Sequence, residues 1–171
     1  MTTPHLHVFA IDGTGDIWHP TDGAGTGWVW LTVPRLSIFG SQDAEITAWD
    51  YGIWHGSQPA MATCIARKAR EIQGLDYKTG PAIVMDDTAV RLCAMVELLR
   101  HQERTGDGVL YLQPRDSAKK ITDDSLRRLG MHVGQDNILM AVKHALAALR
   151  RAKRNTAFAH EIWPYPPNGR P

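Results

Sequence analysis

Apolar residues in this chain fall into short blocks separated by Gly, Pro and Asp, and the period changes from block to block. Leu6 to Ile11 is a continuous apolar run around His7 and reads as a strand that ends at Asp12. Residues 13–26 are rich in Gly, Thr and Asp and read as a long turn or flap. Gly27 to Val33 is a second strand, stopped by Pro34, and residues 36–39 and 45–49 are candidates for further short strands. From Pro59 to Gln73 the period becomes helical, with Ile65, Ala69 and Ile72 on one face. Residues 82–86 form a buried strand. A helix follows from a cap at Thr88 to about Arg104, striped by Leu92, Met95, Val96 and Leu99. Val109 to Leu112 is another strand, closed by Gln113-Pro114. A short helix spans Asp123 to Leu129, and a last one runs from about Gln135 to Arg154, burying Ile138, Val142, Ala145, Leu146 and Leu149. The order, β-β-(β)-α-β-α-β-α-α, predicts an α/β domain over residues 1–154: a mixed central sheet flanked by helices. Residues 155–171, rich in Pro and aromatics, read as an extended tail on the surface.

Two strands end in acid. Pro81-Ala82-Ile83-Val84-Met85 runs straight into Asp86-Asp87, and the first strand runs into Asp12. Carboxylates at the tip of a buried strand are costly unless something neutralises them, and a divalent cation is the usual partner. Two such strand ends in one small α/β chain suggest a metal-dependent phosphoryl-transfer site. The plainer alternatives are a turn at Asp12-Gly13 and a helix cap at Asp87 or Thr88.

Composition narrows the options. The 171 residues carry a net charge of +1 and are 43% apolar, enough for one core and too neutral for global attraction to nucleic acid. Any such contact needs a local patch. Lys119 and Lys120 are candidates, as are Lys143, Arg150 and Arg151 towards the end of the last helix. A solvated helix end that suits the macrodipole is the alternative for that cluster. Cys64 and Cys93 lie in apolar helical segments and read as buried thiols of a reducing cytoplasm. The N-terminus shows no signal-peptide pattern, and no run approaches the roughly 18 apolar residues of a membrane span. Five of the six tryptophans precede residue 55 and read mainly as packing, with Trp18 in the flap able to stack on a base.

The ordered set of segments resembles a family. The set comprises the strand ending at Asp12, Thr26-Gly27-Trp28, Asp86-Asp87, Gln113-Pro114 through Lys119-Lys120, Thr122 to Gly130, and Lys143-His144-Ala145-Leu146. Together these are similar to the RuvC-like Holliday-junction resolvases of actinobacterial phages, within the RNase H-like superfamily. The resemblance implies an RNase H-like nuclease domain, homodimeric through the helix at 88–104 beside Leu98, that cleaves branched DNA in recombination. It implies two-metal phosphodiester hydrolysis with Mg²⁺ or Mn²⁺. Asp12 matches the first-strand acid and would bridge the ions. Asp86 stands where the family has Glu, with Asp87 after it. Adjacent strand residues face opposite ways, so both aim inward only if the strand has already ended. In the last helix the family's acidic positions hold Asn137 and Met140, and Asp136 is the nearest acid. Asp136 or Asn137 would hold the second ion, because a thioether suits soft metals rather than Mg²⁺. His144 would serve as a base, as a phosphate contact, or as a packed core histidine. The rival reading is a catalytically inactive DNA-binding or structural module of the same fold.

Overall fold

The computed structural model of the chain describes residues 5–12, 25–40, 45–75, 80–102 and 108–164. The flap, with Asp16, Trp18 and Asp22, lies outside these, as does the tail from residue 165. Five strands form one sheet: β1 (His5–Asp12), β2 (Thr26–Pro34), β3 (Ala48–Trp54), β4 (Ala82–Asp86) and β5 (Leu110–Gln113). Their spatial order is β3-β2-β1-β4-β5. β1 pairs antiparallel with β2 and parallel with β4; β2 pairs antiparallel with β3, and β4 parallel with β5. The helices are α1 (Arg35–Phe39), α2 (Gln58–Leu75), α3 (Val90–Gln102), α4 (Asp123–Arg128), α5 (Asp136–Arg154) and α6 (Thr156–Ile162), with a 3-10 turn at Arg115–Lys120.

Side-chain alternation along the strands makes two cores. Leu6, Val8 and Ala10 of β1 and Ala82 and Val84 of β4 face α5, meeting Ile138, Val142, Ala145 and Leu149. The intervening Phe9, Ile11, Ile83 and Met85 face α2 and α3, against Met61, Ile65, Ile72, Leu92 and Val96. β1 and β4 are buried on both faces, which is why they read as unbroken apolar runs. The start of α5 lies directly on β2. A Cβ at Gly27 would sit 2.3 Å from the carbonyl carbon of Asn137, so only glycine admits this approach.

Three local expectations are corrected. Residues 36–39 are helical, not a strand: Pro34 ends β2, and the turn closes where Gly40 N–H donates to the Leu36 carbonyl at 3.0 Å. A short apolar run fits either state until its flanks decide. Of the segment expected as an extended tail, residues 155–164 are not one: Asn155 caps α6 by accepting from Phe158 N–H at 3.0 Å, and Phe158, Ala159 and Ile162 recur at helical spacing and are buried. Trp163 is fully buried, and its indole N–H donates to the His7 carbonyl at 3.2 Å, just before β4 begins opposite Val8. The cysteines are both free but half-buried rather than buried. Among the described residues no helix is long and apolar enough to cross a membrane.

Because Trp163 fills space against β1, Trp163→Ala is expected to destabilise the fold by about 3–5 kcal/mol. Urea unfolding followed by circular dichroism checks this. A loss below about 1 kcal/mol would show that α6 is not part of the core.

Candidate active site

The parallel strands β1, β4 and β5 all end on the same edge of the sheet. Their register pairs Ile11 with Met85 and Asp86 with Gln113, so one further step along β1 brings Asp12 beside Asp86. Residues paired in register face the same way, and here that is the α5 side. The result is a row, Asp12–Asp86–Gln113, at the carboxyl ends of three neighbouring strands. This is the edge at which open α/β sheets place their ligands.

All three members of the row are buried; Asp12 is 7% and Asp86 4% exposed. Burial, and then the charge of Asp86, push the Asp12 carboxyl up to about 6 from 3.8; the Arg115 guanidinium only partly offsets this. The two oxygens of Asp86 are used differently. Oδ1 accepts from the Thr88 N–H at 2.7 Å and from the Thr88 hydroxyl at 2.6 Å. Thr88 therefore fastens Asp86 instead of capping α3 with its side chain. Oδ2 lies 3.6 Å from His144 Nε2 and 3.9 Å from Arg115 Nε.

His144 projects from α5 into this row and has no solvent exposure. Gln113 Nε2 lies 2.9 Å from its Nδ1 and 3.1 Å from its carbonyl oxygen. An amide nitrogen can only donate, so Nδ1 accepts and the neutral ring carries its proton on Nε2, facing Asp86. Burial holds the imidazole below its ordinary pKa, outweighing the upward pull of Asp86 and Asp87. In this tautomer Nε2 is not free to ligate a metal; it faces Asp86 Oδ2 at 3.6 Å without a hydrogen-bond partner among the described residues.

The other candidates lie elsewhere. Asp87 is exposed on the turn after β4; its N–H continues the ladder by donating to the Gln113 carbonyl at 2.9 Å, so the acid pair divides as strand alternation requires. Asp136 is exposed at the first residue of α5. Asn137 is taken up structurally, its amide donating to the Gly25 carbonyl at 2.9 Å. Met140 stands on the same helix between Asn137 and His144. Among the described residues no group of three His, Cys, Asp or Glu is arranged to hold a metal. Lys119 is paired with Asp116 at 2.7 Å and Lys143 with Asp123 at 2.6 Å, so Lys143 ties α5 to α4. Lys120, Arg150 and Arg151 line a common groove. Trp28 and Trp54 stack 5.2 Å apart in the core under α2, with the Lys68 ammonium 4.9 Å from the Trp28 ring.

Sequence reasoning missed Gln113 and Arg115 as members of the site. The available signal was that Gln113 is the one polar residue at the end of a strand whose neighbours also end in polar groups.

No family model matches the chain, and no curated protein does. Among solved structures it is similar to RuvC from Thermus thermophilus, with a TM-score of 0.55 and 14% identity over 88% of this chain and 98% of that one. The chain therefore has the RNase H-like fold of that protein: a mixed five-stranded sheet with helices on both faces.

A carboxyl whose pKa is higher folded than unfolded binds more protons in the folded state. Its stabilising effect is complete below about pH 4 and is lost as pH rises through about 6. Asp12→Asn should therefore be more stable than wild type at pH 8, by up to about 3 kcal/mol, with the difference vanishing towards pH 4. Denaturant unfolding across that range in metal-free buffer checks this. A variant no more stable than wild type at pH 8 would mean that Asp12 is not held in a desolvated, anionic setting.

Proposed function

We propose that the chain is a RuvC-like endonuclease that acts on branched DNA and hydrolyses a phosphodiester with the help of a divalent cation. The observation that carries this reading is the buried Asp12–Asp86 pair at the ends of adjacent parallel strands. Two desolvated carboxylates that repel each other form a site for positive charge, and their hard oxygens suit Mg²⁺ or Mn²⁺. One or two carboxylates suffice for one such ion, whose other positions stay with water and phosphate. The pair therefore fits one cation, and the described residues do not furnish the donor set for two. When bound, the cation would polarise a phosphoryl oxygen and favour deprotonation of a water.

The chain's own residues then have separate tasks. Asp12 and Asp86 Oδ2 present the negative oxygens. Thr88 immobilises the other oxygen of Asp86, and Gln113 and His144 fix the side from which Oδ2 is approached. Arg115, 68% exposed along its side chain and 3.9 Å from Asp86 Oδ2, is placed to meet an incoming phosphate. Hydrolysis adds water across one P–O bond, leaving a phosphate monoester and an alcohol. In the same reading the chain works as a homodimer, supported by the exposed Val90 and Leu98 on α3.

A labelled four-way junction titrated with Mn²⁺ and Mg²⁺, read for binding and cleavage together, tests this. Wild type is expected to nick the junction only with metal. Asp12→Asn and Asp86→Asn should each lose on the order of a thousandfold in rate while still binding it. Binding without cleavage at saturating metal would favour the second reading, an inactive DNA-binding module, to which Asn137 and Met140 in place of acids already point.

A further inference from the structure

A groove of about 410 Å³ opens beside the acid row, between β5, the 3-10 turn and the C-terminal half of α5. Four cations line it, Lys120, Arg150, Arg151 and Arg154, together with the neutral polar Gln113 and Ser117; no carboxylate does. In a chain of net charge +1 this is a strong local concentration of positive charge. Among the described residues no ion pair engages Lys120, Arg150 or Arg154. Arg151 is held without being neutralised: Nη1 donates to the Tyr111 hydroxyl at 2.5 Å, and the guanidinium lies 4.1 Å from the Phe158 ring centroid. Arg150 and Arg154 sit one helical turn apart, roughly 6 Å along the axis. That spacing suits successive phosphates of one strand better than a single compact anion. No aromatic ring belongs to the lining, so a base finds nothing there to stack on. Gln113 belongs both to the groove and to the acid row, and makes the two continuous.

We propose that this groove seats the sugar–phosphate backbone of a nucleic-acid strand, without regard to base sequence, and leads it towards Asp12 and Asp86. The second clause rests on the nuclease reading above; the first does not. Contacts of this kind set the position of the strand and make binding salt-dependent.

The test uses the full chain and a variant with two of the groove's three exposed arginines removed, Arg150→Ala with Arg154→Ala. Anisotropy is read with labelled four-way junctions of two unrelated sequences, in EDTA to prevent cutting. The variant should keep the wild-type melting temperature and bind roughly tenfold more weakly at 0.1 M salt. The slope of log Kd against log salt should fall by about 2, and equally for both sequences. Unchanged affinity and slope, a sequence-dependent loss, or full competition by millimolar inorganic phosphate would each overturn the proposal. So would a wild-type chain that binds neither junction nor duplex. Asp12→Asn separates the two readings. If it cuts with metal as well as wild type while the arginine variant has lost binding, the nuclease site falls and the groove stands. If it is inert and the arginine variant binds normally, only the groove falls.

Discussion

Two carboxylates buried side by side are the constraint on which this structure turns. Parallel pairing of β1 and β4 brings Asp12 and Asp86 level with each other at the strand ends. α5 and the end of β5 then withhold the water that would otherwise solvate both charges. Asp12 responds by holding its proton up to about pH 6. A fold that keeps such an arrangement keeps a place for positive charge, since replacing either acid with an apolar residue would relieve the cost of burial.

Much of the surrounding structure fixes that pair. Gly27 lets α5 approach β2 closely enough for its third turn to deliver His144 beneath Asp86. Gln113 orients the imidazole through Nδ1, and Thr88 takes the remaining oxygen of Asp86. None of these groups is charged, so they set geometry without neutralising the carboxylates. Positive charge comes instead from Arg115 at the rim and from the cationic groove behind Gln113. The sheet edge thus joins a negative, desolvated point to a positive, solvated track, which suits a polyanion that must touch a cation at one phosphate only.

The parts of this arrangement visible in the sequence were those set by local pattern. Doubly buried strands give unbroken apolar runs, so β1 and β4 and the acids at their tips could be located, as could the long amphipathic α5. What stayed hidden depended on tertiary neighbours. Gln113 looks like a strand terminator until its register with Asp86 is known. Asn137 carries no sequence signal that its amide N–H donates to the Gly25 carbonyl, 112 residues earlier in the chain. The ion pair of Lys143 with Asp123 of α4, at 2.6 Å, has no signature in the sequence either. The prolines and aromatics after Asn155 suggest a loose tail, yet the helical spacing of Phe158 and Ile162 outweighed them and put Trp163 into the core. The resemblance in the last helix located His144 correctly on α5 but assigned it no partner; its neighbours come from β4 and β5.

Counting cations by calorimetric titration of Mn²⁺ into the metal-free full chain at pH 7 tests the central claim most directly. One ion per chain, lost in Asp12→Asn and in Asp86→Asn, is the result expected of a paired-carboxylate site. Two ions per chain, or undiminished binding in either variant, would show that the cation is held by other groups and that the buried pair has another purpose.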